Sequence, residues 1–470
     1  MADTTLDPQD WDAFRNDAHA LLDRALDKMQ SARDGRVWTP LPEEMKSDLN
    51  APLPAAPMDY PEIATRLSAL LPYGVGNTHP RFFGWVHGAG NPGGILPDMV
   101  AAAMNANLGG RDHGAIYVER QVLDWCRQMM GFPADVSGLI TSGTSMGTIV
   151  ALKVARDRAM GFASRKDGAG TGLVGYTSEQ AHACVAQAFD MLGLGSDALR
   201  KIQTDSDFRM DINALSDQIN ADRTAGLTPF AVIGTAGSVN VGAIDNLTDI
   251  ADIATAKNLW FHVDGAFGAT GILSDHVRPL LTGMERADSL AFDFHKWLHV
   301  NYSAGCVLIR DADAHLRAFS DRPEYLAPAT RGLASGAPWP VDYGPELSRG
   351  FAALKIWAHL MEHGTEKLGR SITANCEQAQ LLASLVDQHP KLERLAPIAL
   401  NITCFRYGSD DAINQEIVLQ LQEQGLAVPS TTRINGALAI RVNITNHRTT
   451  DADMQFLVDH VVAIGDDFTA

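Results

Sequence analysis

Five short apolar runs, separated by stretches of helical character, constrain this chain more than any other feature. They are Gly172–Tyr176, Phe230–Gly234, Leu259–Val263, Ser289–Phe292 and Gly305–Ile309. A strand with one wet face alternates apolar and polar residues, whereas a continuous apolar run is covered on both faces. Interleaved helices supply those covers, which predicts an α/β architecture with a largely parallel sheet over about residues 138–311. Ligands of such sheets sit beyond the carboxyl ends of the strands. The residues that follow each run are therefore where chemistry is to be sought.

The flanks read differently. Residues 8–33 carry Trp11, Phe14, Ala18, Leu21, Leu22 and Ala25 near helical spacing. Six prolines between Pro40 and Pro61 then predict an extended arm. The segment His79–Pro97 is too rich in Gly and Pro for a helix and too apolar for a solvated loop, so it is expected to be buried or to line an interface. After Gly350 a long helical stretch, Phe351–Leu368, leads into strands at Leu400–Tyr407 and Leu438–Val442. The expected division is an N-terminal arm (1–100), a large domain (101–350) and a small α+β domain (351–470).

The formal net charge of −18 disfavours nucleic acid and anionic membrane surfaces as partners. No apolar run is long enough to span a bilayer, and the acidic N-terminus lacks the apolar core of a signal peptide. Five cysteines without a CxxC pair point to a reducing cytoplasm rather than a disulfide framework.

Four segments stand where ligands are expected. Thr141–Gly147 is a small, hydroxyl-rich turn opening a helix, which suits either an ordinary N-cap or an anion site using Thr144 and Ser145. Asp264, in His262–Ala266, ends an apolar run and is either a turn cap or a carboxylate for a cationic ring nitrogen. Lys296 follows Asp293 and His295 after another run; a lysine in apolar company has a lowered pKa and makes a Schiff-base nucleophile. His182 follows the first run and is either a structural histidine or a ring that stacks on a cofactor and relays protons.

Rival constellations are weaker. His295 and His299 lack the Glu of a metalloprotease motif, so no metal is expected. His182 beside Cys184 does not make a thiol nucleophile unless that segment is extended, and Cys184 reads as a small buried hydrophobe. Gly74 and Gly76 lack the third glycine of a dinucleotide turn.

Taken in order, Thr141–Ser145, Ser178–His182, Gly234–Asp245, His262–Ala266 and Asp293–Leu298 resemble the group II pyridoxal-phosphate (PLP) decarboxylases that act on aromatic amino acids, histidine and glutamate. The resemblance runs from about His79 to Arg349 and more weakly to Arg441. It implies the aspartate-aminotransferase-like fold type I and a homodimer with interlocking arms. It further implies that Lys296 carries PLP, Asp264 meets the pyridine nitrogen, and His182 stacks on one ring face with Ala266 on the other. Thr144, Ser145 and His295 would hold the phosphate with Asp293 nearby, and Thr235 would lie by the ring hydroxyl. The chain departs from the common pattern at Met146, Gly147, Gly265, Phe267 and Phe294, which alters local packing.

The implied reaction is decarboxylation of an L-amino acid to the amine and CO2. Phe82, Phe83, Trp85, Val86 and His87 fall where the family builds its substrate pocket, and their aromatic character favours an aromatic side chain. Glutamate or aspartate is the next choice. Tyr325 and Tyr343, in the Gly/Pro-rich stretch 321–349, are candidate proton donors from a mobile loop. If neither serves, decarboxylation with deamination to an aldehyde becomes the alternative; an aminotransferase or another PLP lyase would use the same cofactor site. Arg441 either faces the substrate carboxylate or forms a structural salt bridge.

Overall fold

The computed structural model describes residues 4–321 and 327–468; Tyr325 lies outside them. Its centre is a seven-stranded sheet of β1 (Ser137–Thr141), β2 (Leu173–Ser178), β3 (Leu199–Ile202), β4 (Thr228–Thr235), β5 (Trp260–Asp264), β6 (Ser289–Asp293) and β7 (Gly305–Ile309). The spatial order is β1-β7-β6-β5-β4-β2-β3. Strands β2 to β6 pair in parallel, and β7 runs antiparallel to both β6 and β1.

The continuous apolar runs have the expected cause. Val232, Val263, Leu290, Phe292, Cys306 and Leu308 enter one buried core, while their neighbours Ala231, Ile233, Ala291, Val307 and Ile309 enter a second. Successive side chains of a strand point to opposite faces, so two apolar cores require apolar residues at every position. Helices Thr144–Ala159, Ala183–Met191 and Ala312–Phe319 serve the second core; Gly114–Met130 and Leu247–Lys257 serve the first.

Two strands escaped the sequence pattern. Strand β3 (LRKI) is an edge strand with Arg200 and Lys201 in its middle, so it carries no apolar run. Strand β1 (SGLIT) has only two large apolar residues before its hydroxyl-rich turn.

A second sheet, order β10-β11-β9-β8, is wholly antiparallel and comprises β8 (Leu392–Arg394), β9 (Ile402–Tyr407), β10 (Ser430–Ile434) and β11 (Ala437–Asn443). The helix expected over Phe351–Leu368 is the first half of a longer one, Ala352–Gln388, broken at Gly364 (φ 62°, ψ 161°).

The segment 79–97 is mostly buried, with Trp85, Pro92 and Leu96 exposed, and its partners lie far along the chain. The Phe83 N–H donates to the Val428 carbonyl at 2.9 Å, the Val428 N–H to Arg81 at 3.0 Å, and the Asn443 N–H to Phe83 at 2.9 Å. The stretch therefore runs along the small sheet on its way to the large one. At Gly88 a Cβ would stand 2.1 Å from the His295 carbonyl oxygen and 2.3 Å from that of Lys296, so only glycine permits this approach.

Several histidines are held neutral by burial. His262 sits between Ser289 Oγ (2.9 Å) and Thr148 Oγ1 (3.3 Å), and His315 between Ser137 Oγ (2.8 Å) and the Tyr343 carbonyl (2.7 Å). Burial pushes both down from 6.5 to about 3. The unfolded chain takes up these protons as pH falls through about 6.5 and the folded chain does not, so their stabilising contribution is full above that pH and lost towards pH 3. Between pH 6.5 and 5 the loss is about 2 kcal/mol per histidine. Asp245, raised to about 6 by burial, acts in the opposite sense and offsets part of it. Urea denaturation is expected to show a lower midpoint at pH 5 than at pH 7; a midpoint that holds or rises would contradict the assignment.

Candidate active site

Strands β4, β5 and β6 end side by side with Thr235, Asp264 and Asp293. Thr235 is paired directly with Asp264, and Asp264 with Ala291, two residues before Asp293. The chain leaves β6 through residues 294–304 and returns as β7, which places Lys296 in a tight connection above the strand ends. The Phe294 and His295 N–H groups both donate to the Ala304 carbonyl (2.9 and 3.2 Å). Trp297 Nε1 donates to Asn375 Oδ1 at 3.0 Å.

Asp293 is the hub. Its Oδ1 accepts the Thr144 N–H at 2.7 Å, at the start of helix Thr144–Ala159. Its Oδ2 lies 3.1 Å from Lys296 Nζ and 3.6 Å from His295 Nε2. Burial lowers the His295 pKa, with the Asp293 charge opposing it.

Asp264 differs. It is buried, it accepts the Ala266 N–H at 3.2 Å, and the Cys184 thiol approaches it at 3.9 Å. Among the described residues no Lys, Arg or His forms an ion pair with it. Burial raises its pKa, and Lys296, the Ala266 N–H and His182 pull the other way. His182 caps helix Ala183–Met191, its Nδ1 accepting the Cys184 N–H at 3.1 Å, and its side chain is exposed.

These features fit PLP. A buried carboxylate lacking a cationic partner suits a protonated ring nitrogen. The hydroxyls of Thr144 and Thr235 are buried without hydrogen-bond partners, and the N-cap residue Gly143 brings no side chain to the helix start, where Asp293 takes the Thr144 N–H alone, a donor set that suits a phosphate and a ring hydroxyl. Ser145 is exposed at that helix start, and Ala266 is half-buried just beyond Asp264. When bound, PLP supplies the electron sink.

The other candidates are dispersed. Trp85, 51% exposed, and His87 form an aromatic group with Phe82, with centroids 5.5–6.2 Å apart, and His87 reaches the Lys296 connection through Tyr302, which packs on His295. Phe83 instead is fully buried in the small-sheet core with Ala379, Phe405 and Ile440, because the chain turns at residues 84–86, where Trp85 takes φ 49°, and the side chains after the turn no longer share the face of Phe83. Val86 belongs to the large core. Arg441 has no carboxylate in contact among the described residues. Its Nε donates to the Asn240 carbonyl (3.1 Å), Nη1 to the Trp85 carbonyl (2.9 Å) and Ser430 Oγ (3.2 Å), and Nη2 to the Val239 carbonyl. It thus ties the Trp85 backbone to the small sheet, and the expected alternative of a salt bridge gives way to a clamp on carbonyls.

Tyr343 is not brought to Lys296. It packs on His315 (centroids 4.9 Å) and lines a cavity with Ser137, Gly138, Leu308 and Ala312. Those residues lie at the start of β1, the end of β7 and the start of the helix Ala312–Phe319 that follows it, the opposite end of the strands from Asp293. Conversely, Tyr302 had no sequence signal. Its ring lies 4.5 Å from His295 and 6.1 Å from His87, and burial pushes its phenol up to about 12.

The comparisons with known proteins agree with this geometry. The profile of the pyridoxal-dependent decarboxylase conserved domain matches residues 42–408. The aromatic-L-amino-acid decarboxylase of Bacillus atrophaeus is 34% identical over 401 residues, 83% of this chain and 82% of that protein. The L-2,4-diaminobutyrate decarboxylase of Rhizobium meliloti is 32% identical, covering 82% of this chain and 77% of its own. The crystal structure of Oryza sativa TDC with PLP and tryptamine superimposes with a TM-score of 0.91 at 25% identity, covering 99% of this chain and all of that one. With Lys296, Asp264 and the helix begun by Thr144 gathered at the carboxyl ends of the central strands, the chain belongs to the family of pyridoxal-dependent decarboxylases.

Proposed function

We propose that the protein decarboxylates an aromatic L-amino acid to the amine and CO2, with PLP held at Lys296. The observation that carries the reading is the placement of the Lys296 amine and the unpaired Asp264 carboxylate above adjacent strand ends, with the Trp85–His87 aromatic group on the Lys296 side.

In this reading Asp264 keeps the cofactor's ring nitrogen protonated. Thr144, Ser145 and His295 hold its phosphate, Thr235 lies by its hydroxyl, and His182 and Ala266 cover its two faces. Lys296 would carry the cofactor and hold or move a proton at Nζ, with Asp293 orienting it. Trp85 and His87 contact the side chain. Arg441 acts through the backbone of Trp85 rather than on the substrate. Tyr325 remains the candidate proton donor.

The reading extends to assembly and location. The arm exposes Leu6, Trp11, Leu49, Leu53, Leu67 and Leu70, and an apolar groove of about 790 Å³ is lined by Trp125, Met129, Leu281 and Met361. Such surfaces support a homodimer joined through the 1–100 arm, above the 101–350 and 351–470 domains. All five cysteines are buried and free, which accords with a reducing cytoplasm. No described helix is long and apolar enough to cross a membrane.

A screen of L-amino acids for CO2 release, with keto acids measured in parallel, tests the reaction; keto acid without CO2 would favour an aminotransferase instead. Lys296→Ala is expected to abolish borohydride-reducible attachment of PLP and lower CO2 release by about 10³-fold or more. Asp264→Asn is expected to keep that attachment yet lose about 10²-fold or more in turnover, because only the ring-nitrogen partner changes. Tyr343→Phe is expected to leave amine formation within about twofold, in line with its hydroxyl being remote from Lys296; a large loss would place it in the site after all.

A further inference from the structure

The site contains a histidine that neither cofactor attachment nor proton transfer at Lys296 uses. The His87 side chain is half-buried and belongs to the ring group of Phe82 (5.5 Å), Trp85 (5.8 Å) and Tyr302 (6.1 Å). Its backbone is held firmly: the carbonyl accepts Thr445 Oγ1–H at 2.7 Å, and the next residue, Gly88, lies against the Lys296 backbone. Tyr302, 6.1 Å from His87, in turn packs at 4.5 Å on His295, the neighbour of Lys296, which places the His87 ring on the reactive side of the segment.

Its two nitrogens are unequal. Nδ1 is buried without a partner, while Nε2 is not enclosed and makes no hydrogen bond among the described residues. Burial, reinforced by Lys296 and His295, lowers its pKa, so the ring is neutral at neutral pH with one N–H to place. A buried N–H without an acceptor is rarer and costlier than a bare lone pair, so the proton belongs on Nε2. The result is a fixed, uncharged donor set into an aromatic surface, with Nε2 as its accessible nitrogen.

We infer that His87 is a specificity-determining residue that donates its Nε2–H to an oxygen on the substrate's ring, so that hydroxyphenyl amino acids are preferred to phenylalanine. An indole offers only an N–H donor and cannot accept this bond. A site carrying a committed donor disfavours a substrate that leaves that donor unpaired. The inference rests on the aromatic reading above.

The test is a spectral titration of the PLP-loaded enzyme with the methyl esters of L-tyrosine and L-phenylalanine, which carry no free carboxylate to lose. The wild type is expected to bind the tyrosine ester about tenfold more tightly, the worth of one neutral hydrogen bond. His87→Leu is expected to bring the two affinities within about twofold, and His87→Gln, which retains an N–H donor, to restore part of the gap. If the wild type shows no preference, or His87→Leu keeps it, the inference is overturned while the aromatic reading stands. If neither ester binds but non-aromatic amino acid esters do, both fall together.

Discussion

The site depends on one buried carboxylate. Asp293 ends β6, and its two oxygens join the N-terminus of the helix begun by Thr144 to the amine of Lys296. Three parts of the chain far apart in sequence are thereby brought into one arrangement before any ligand arrives. Gly305 makes room for this, because a Cβ there would stand 2.8 Å from Asp293 Oδ1 and 2.6 Å from the Gly143 Cα. The reversal of β7 matters for the same reason. An antiparallel return directly beside β6 keeps the connection bearing Lys296 short and pinned to the strand ends it leaves.

Two carboxylates at adjacent strand ends have been given unlike environments. Asp293 is surrounded by donors from the protein itself, whereas Asp264, among the described residues, has only an amide and a thiol in contact and its pKa is raised by burial. Similar residues acquire separate tasks when their surroundings diverge in this way. The first is satisfied by the fold; the second is satisfied when a cation arrives. In the proposed reading that cation is the protonated ring nitrogen of PLP, the cofactor of the pyridoxal-dependent decarboxylases to which the chain belongs.

The segment 79–91 links this chemistry to the rest of the molecule. It pairs with the small sheet through Phe83 and Val428, is held by Arg441 at Trp85, and then presses Gly88 against Lys296. Movement of the small sheet therefore reaches the aromatic side of the site through hydrogen-bonded backbone.

Much was legible from the sequence because it depends on local composition. Continuous apolar runs follow from two covered faces, and the ends of those runs marked Asp264 and Lys296 as candidates, while the Thr144 turn was marked by its small hydroxyl-rich composition before a helix. Edge strand β3 was not legible, since one exposed side relieves the demand for apolar residues. What only tertiary structure decided were contacts between distant segments and the direction of each side chain. Phe83 and His87 belong to one motif, yet one fills the small-sheet core and the other turns toward Lys296. Tyr343 and Tyr302 are both tyrosines beside buried strands, and only Tyr302 lies at the reactive end. Such outcomes depend on which strand end a loop leaves from and which core it crosses, and composition carries no record of either.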